Sequence, residues 1–312
     1  MLSTKPIKCP PYLLEKAGPL PALPTAIVGA GSPLPLESAK MAQGEGLIKP
    51  LLVGNPSRIN ALANDLEWNI SDLRIVSASD ETEAASVAVD LARRGEVQAL
   101  MKGQVHTDTL LRAVLNRDKG LRTEAFLSHV FHMTIPDSDR VLCITDAVLN
   151  ILPSEDEKMH IVRNVIDLMH ALGNPEPRIA MLSGTEQETS AMPSSIEAAN
   201  VTRRATGGAI QGAIVDGPLA MDIAISPDAA RGKGINSPVA GYADVLVVPN
   251  LEAGNFLFKK MVYFMSAAAA GLVLGAKVPV ILNSRSDAAA SRLASAALAV
   301  IYAHHLSTGL SH

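Results

Sequence analysis

Gln98-Ala99-Leu100-Met101-Lys102-Gly103-Gln104-Val105-His106-Thr107-Asp108-Thr109-Leu110-Leu111-Arg112 is the stretch that decides the fold. It opens on a short apolar run, turns at a lysine and a glycine, and continues into a helical pattern. The same order recurs along the chain. Short apolar runs at 25–29, 50–54, 73–76, 98–101, 178–182, 213–215, 245–248 and 278–282 are separated by helical stretches. Most of these runs are continuously apolar rather than alternating, as expected of strands covered on both faces in a parallel sheet. The expectation is an α/β fold, mostly parallel, with helices on both faces.

Two helices carry clear start signals. Asp80 with Glu83 three residues on caps one, which Gly95 stops; Ser154 with Glu157 opens another, followed by Gly173. A C-terminal helix begins near Asp287. The apolar run from Met261 to Ala276 reads as a buried helix feeding a strand, too short for the roughly 20 residues of a membrane span. The best border lies near Pro136-Asp137-Ser138-Asp139. It gives a first domain of residues 1–138 plus 286–312, discontinuous in sequence, and a second of residues 139–285.

Composition removes several function classes. The 312 residues are 48% hydrophobic and 19% charged, with net charge −4, which suits a globular chain. Ten aromatic side chains and no run of more than two Lys or Arg leave no basic stripe for nucleic acid. Two cysteines, Cys9 and Cys143, suit a reduced cytoplasmic protein, and the Pro-rich start has no apolar core of a signal peptide. Cys143, among Val141, Leu142 and Ile144, reads as a core thiol. Gly29-Ala30-Gly31 lacks the third glycine of a dinucleotide fingerprint. His129 and His132 have no third ligand in view, so no metal site is expected.

Three segments that follow strands can carry chemistry, because ligands of open α/β sheets bind outside the carboxyl ends of strands. Lys102, His106 and Thr107 precede a helix that bears Arg112, and a guanidinium can hold a phosphate through two parallel bonds. Asn283-Ser284-Arg285-Ser286-Asp287 combines a hydroxyl, a guanidinium and a carboxylate that could act as a base. In the third segment, Ser237 precedes the 245–248 strand, and Gly254 and Asn255 follow it. Each group has a plainer use: Ser284 or Ser286 as a helix cap, Thr107 or Asp108 likewise, and Arg285 as a surface charge.

In this order and spacing the three segments resemble the phosphate acetyltransferase and phosphate butyryltransferase family. The likeness runs from Gly46-Leu47-Ile48-Lys49-Pro50 to the C-terminus. It takes in Asp108-Thr109-Leu110-Leu111-Arg112, Asp216-Gly217-Pro218-Leu219, Ser237-Pro238-Val239-Ala240-Gly241, Leu251-Glu252-Ala253-Gly254-Asn255 and Ser284-Arg285. Asp216–Leu219 and Glu252 look like the butyryl branch, and Ser237–Gly241 like the acetyl branch. The resemblance implies a two-domain fold of the isocitrate/isopropylmalate dehydrogenase-like superfold, with the active-site cleft between the domains, and a cytoplasmic homodimer. It implies an acyltransferase that moves a short acyl group (acetyl, with propionyl and butyryl as alternatives) between CoA and phosphate. Acyl-CoA, phosphate and acyl phosphate are then the partners, with no permanently bound cofactor, no nucleic acid and no membrane.

Carried over by position, Arg285 contacts the acyl phosphate, Ser284 donates to its carbonyl, and Arg112 is a second substrate arginine. One position departs. The acetyl branch has its basic aspartate seven residues after the serine, where this chain has Ser291. Asp287, one helical turn before Ser291, is the candidate replacement. Arg93 and Arg94 have no local match to a further upstream arginine. Two other readings stand beside this one. A metal- and NAD-dependent dehydrogenase of the same superfold would need clustered carboxylates, and Asp222, Asp228 and Asp244 are scattered. A non-catalytic acyl-CoA or acyl-phosphate sensor would explain Ser291.

Overall fold

A computed structural model describes residues 2–136, 138, 140–284 and 287–309. The described residues form eleven strands: β1 (Leu23–Val28), β2 (Ile48–Gly54), β3 (Ile75–Ser77), β4 (Ala99–Lys102), β5 (Ser128–Thr134), β6 (Val141–Thr145), β7 (Arg178–Leu182), β8 (Ile214–Leu219), β9 (Val245–Val247), β10 (Ala268–Leu274) and β11 (Val280–Ile281). The chain divides into two compact units, one of Ile7–Ala125 with Ala270–Ser311, the other of Met1–Pro6 with Phe126–Ala269.

In the first unit the strand order is β3-β2-β1-β4-β11-β10. The first five run parallel, and β10 closes the set antiparallel to β11 through Val273 and Val280. Helix Glu81–Arg93 packs on β1, β2 and β4. Asp80 caps it by accepting from the N–H groups of Thr82 and Glu83, while Glu83 reaches back to Ser79 rather than to the cap residue. Helix Ala289–Ser307 is buried at every residue from Ser291 to Ala303, as a helix without a wet face should be. Among the described residues no helix is long and apolar enough to cross a membrane.

In the second unit the order is β5-β6-β9-β7-β8, with β5 antiparallel to β6 and the others parallel. Its core joins Phe131, Ile144, Leu182, Leu246 and Phe258, with the rings of Phe131 and Phe258 stacked 4.0 Å apart. Helix Glu155–Ala171 begins with the expected Ser154–Glu157 capping box. The border expected at 138/139 falls between β5 and β6, which pair Thr134 with Val141 in one antiparallel hairpin; Asp137 and Asp139 lie outside the described residues. The units divide instead at Ala125/Phe126 and Ala269/Ala270. Hydrogen bonding along a hairpin ties its two strands into one unit, which a polar turn signal in the sequence does not reveal.

The helix expected from Met261 to Ala276 is corrected. Helix Leu251–Met265 ends at Ser266 in the left-handed region (φ 52°), and Ala268–Leu274 is a strand buried throughout. Alanine and glycine are poor strand formers, but burial and packing override that preference. Small side chains let helix Ala289–Ser307 come close, and the Ser295 hydroxyl accepts from the N–H of Gly271 at 2.9 Å.

Candidate active site

The first unit holds a pocket of about 330 Å³. It sits where the strand order turns. From β1 the chain moves outward to β2 and β3, then returns to place β4 on the other side of β1. Such a reversal opens a crevice at the carboxyl ends of the strands. Three adjacent parallel strands supply the lining. Ser32–Pro35 and Ser38 follow β1, Lys102–Gln104 end or follow β4, and Asn283 and Ser284 follow β11; Met101 and Arg292 complete it.

Glycine makes the floor possible. The N–H of Gly103 donates to the carbonyl of Val28 at 2.8 Å, and that of Gln104 to Gly29 at 2.9 Å. A Cβ on Gly103 would lie 2.6 Å from the carbonyl oxygens of both Val28 and Gly29. Only a residue without a side chain lets the two strand ends zip together.

The second wall hangs on Ser295. Its hydroxyl donates to the carbonyl of Ser291 at 2.9 Å and accepts from Asn283 Nδ2 at 3.1 Å, as well as from Gly271. Beside Asn283, the Asp287 carboxylate accepts from the N–H of Ser284 at 2.7 Å. Burial pushes the Asp287 carboxyl above its ordinary range. Its hydrogen bonds to Ser284 and Asn283, and the nearby charges of Arg292 and Lys102, pull the other way. A mostly buried carboxylate held above its ordinary range, beside two cations and a backbone donor, is suited to taking up a proton.

Of the residues expected from the sequence, Lys102 and Ser284 line the pocket, and Asp287 stands beside it, bonded to Ser284 without lining it. Arg285 lies outside the described residues, as does Ser286. His106 caps helix Thr107–Val114 and is drawn toward Glu81, which takes its N–H at 2.8 Å and its Nδ1 at 2.8 Å. Those hydrogen bonds hold the exposed Glu81 carboxyl below its usual range. Thr107 is half-buried as the first residue of that helix, and Arg112 is exposed in its last turn. None of these three lines the pocket.

Ser237, Gly254 and Asn255 belong to the other unit. Ser237 accepts from the N–H groups of Val239 and Ala240, fixing its own turn. Gly254 lets helix Leu251–Met265 rest on the turn after β6, where a Cβ would stand 2.8 Å from that of Ala147. Asn255 donates to the carbonyl of Ala147 at 3.4 Å. His129 and His132 lie buried in β5, and burial pushes them down to about 3 and about 4. Buried Cys143 is pushed up to about 12, mainly by burial, which suits an inert core thiol.

Sequence reading did not single out Ser32–Pro35, Gln104, Asn283 or Arg292 for the pocket. The first of these was legible by the rule already used for β4, since Ser32 follows a strand just as Lys102 does. Arg292 carried no signal, being one cation in an alanine-rich helix.

The model of the family described as Phosphate acetyl/butaryl transferase matches residues 78–300. The chain belongs to the phosphate acetyl/butyryl transferase family. A phosphate acetyltransferase of Rhizobium meliloti is 48% identical over 268 residues, 86% of this chain and 84% of that protein. A phosphate butyryltransferase of Clostridium beijerinckii is 37% identical over 93% of this chain and 96% of its own length. Among solved structures, a branched-chain phosphotransacylase from Enterococcus faecalis V583 superposes with a TM-score of 0.79 at 34% identity, covering 91% of this chain and all of that one. The transferase family thus spans both units, and its match takes in β4, β11 and the Ser284–Asp287 segment.

Proposed function

We infer that this acyltransferase moves a short acyl group reversibly between CoA and inorganic phosphate, with acetyl as the first choice of acyl group and propionyl or butyryl as alternatives. The observation that carries the site assignment is a pocket at the carboxyl ends of β4 and β11 lined by Lys102 and Ser284, with the Asp287 carboxylate bonded to Ser284 beside it. In the direction of thioester formation, Asp287 takes the proton from the CoA thiol. The thiolate adds to the acyl phosphate carbonyl, and the carbon–oxygen bond to phosphate then breaks, leaving the thioester and phosphate. Ser284 and Arg285 stabilise the oxyanion of the tetrahedral intermediate, and Lys102 offsets charge on the phosphoryl group; one such donor is typically worth about 3 kcal/mol.

Under this reading Asp287 performs at the start of helix Ala289–Ser307 what an aspartate at position 291 would perform one turn later. Ser291 itself is buried. His106, Thr107, Arg112, Ser237, Gly254 and Asn255 are proposed to contact the substrates. The two units are proposed as the two domains of an isocitrate/isopropylmalate dehydrogenase-like superfold, in a cytoplasmic homodimer without a bound cofactor. The test is CoA-dependent thioester formation followed by ultraviolet absorbance, with acetyl, propionyl and butyryl phosphates side by side. Turnover with one of them names the preferred acyl group. A folded enzyme inactive with all three refutes the reading.

A further inference from the structure

Arg292 is a cation where three features disfavour one. It is only 8% exposed. It stands in the first turns of helix Ala289–Ser307, whose amino end carries positive dipole charge and whose first turn holds no acidic residue, Asp287 lying just before it. Its guanidinium also lacks an ion pair among the described residues. Nη1 donates to the backbone carbonyl of Asp287 at 2.5 Å, and the buried Nε has no hydrogen-bond partner. The Asp287 carboxylate feels the charge of Arg292, but is itself held by Ser284 and Asn283. A buried, incompletely bonded guanidinium is costly unless an anion completes it. The same side chain lines the pocket with Lys102, Asn283 and Ser284.

We propose that Arg292 is an anion-binding residue of this pocket and seats the phosphoryl group, inorganic phosphate in one direction and acyl phosphate in the other. The assignment of the anion rests on the acyltransferase reading above. The planar fork of a guanidinium matches two phosphate oxygens at once, which a lysine cannot do. Lys102 then adds a point charge to the same group.

The test uses the full chain with Arg292→Met, which keeps volume and removes charge, and Arg292→Lys, which keeps charge and removes the fork. Inorganic phosphate is titrated into each without CoA, following calorimetric heat and melting temperature. KM values for phosphate and acyl-CoA are measured separately. For Arg292→Met the expectation is a melting temperature without phosphate equal to or above wild type, with phosphate binding and the phosphate KM weakened about 10- to 100-fold. The acyl-CoA KM should change little, and Arg292→Lys should recover part of the loss.

An unchanged phosphate KM in Arg292→Met overturns the proposal. So does a parallel rise of both KM values with a lower melting temperature, which marks a structural arginine. Should the Met variant not fold, a folded Lys variant with wild-type phosphate KM overturns it equally. If wild type transfers no acyl group but phosphate raises its melting temperature and not that of Arg292→Met, the acyltransferase reading fails while the anion site stands.

Discussion

Gly103→Ala should damage stability and activity together, because one methyl group strikes the seam between two site-bearing strands. The new Cβ would lie 2.6 Å from two backbone oxygens, those of Val28 and Gly29, and neither is the end of a flexible side chain. Relief requires β1 and β4 to part at their carboxyl ends, stretching the 2.8 Å and 2.9 Å bonds from Gly103 and Gln104. Overpacking of this kind costs about 1–3 kcal/mol and each weakened bond about 0.5–1.5 kcal/mol, so the total is about 2–6 kcal/mol. For a domain of this size that corresponds to a fall in melting temperature on the order of 5–15 °C. Lys102 and Ser32–Pro35 ride on the same two strand ends, so turnover at saturating substrate should fall as well. Gly31→Ala is the control. Its Cβ would meet only the Arg58 side chain, Cδ at 3.5 Å and Nε at 3.8 Å, ordinary contacts with a flexible group, so stability should hold or rise slightly. The assay is thermal unfolding by circular dichroism beside thioester formation for both variants. A Gly103→Ala enzyme that melts and turns over like Gly31→Ala would refute the argument that the seam sets the pocket floor.

Asp287→Asn should lower kcat by roughly 10²–10⁴-fold with substrate KM values little changed. Wild-type activity should fail as pH drops through the raised pKa of Asp287, since the base must be ionised, and the variant should lose that acid limb from its pH–rate profile. Ser295→Ala removes the acceptor for the buried Gly271 N–H and the tether of Asn283, at a cost of about 1–3 kcal/mol read as a lower urea midpoint, with a smaller loss of turnover. His129 and His132 stay neutral in the fold, with pKa values of about 3 and about 4. The unfolded chain binds their protons below about pH 6.5, so this stability is complete above that pH and is lost as pH falls toward 4. Each histidine contributes a slope of about 1.4 kcal/mol per pH unit in that window. Urea midpoints of the His129→Gln, His132→Gln double variant should show a flatter fall between pH 6 and pH 4, and an unchanged slope would place the titration elsewhere.

What the sequence discloses depends on how each element earns its burial. Of the eight apolar runs, Arg178–Leu182 matches its strand end to end, and the others overlap theirs with at least one end shifted, by up to four residues. These are continuous apolar runs between polar turns, so pattern and tertiary structure agree. Three strands escaped. β5 (Ser128–Thr134) places two histidines in a strand buried up to Met133, which polarity scores against, and its partner β6 was noticed only as the apolar setting of Cys143. β10 opens on three alanines and a glycine whose N–H donates to Ser295, and its alanines favour helix when read alone. The site divides along the same line. Residues just beyond strand ends were legible, since a parallel sheet sends its loops to one edge whatever their composition. That rule found Lys102, Ser284 and Asp287.

Arg292 and Ser295 act through the interior of a helix, where function has no local spacing to betray it. Ser295 is a small polar residue among alanines, yet it joins β10, the turn after β11 and its own helix through three hydrogen bonds. Arg292, three residues earlier, lines the pocket. A helix that is apolar all round therefore carries its chemistry at its few polar exceptions, because a buried polar group persists only where bonding or a ligand offsets its cost. The same reasoning separates Arg292 from the ion-paired arginines at the surface. Arg93 and Arg94, the nearest sequence candidates for an upstream substrate arginine, bind Asp90 and Glu96 on an exposed helix end. Their charge is already paired, whereas Arg292 makes no ion pair among the described residues and its Nε is left without a hydrogen bond.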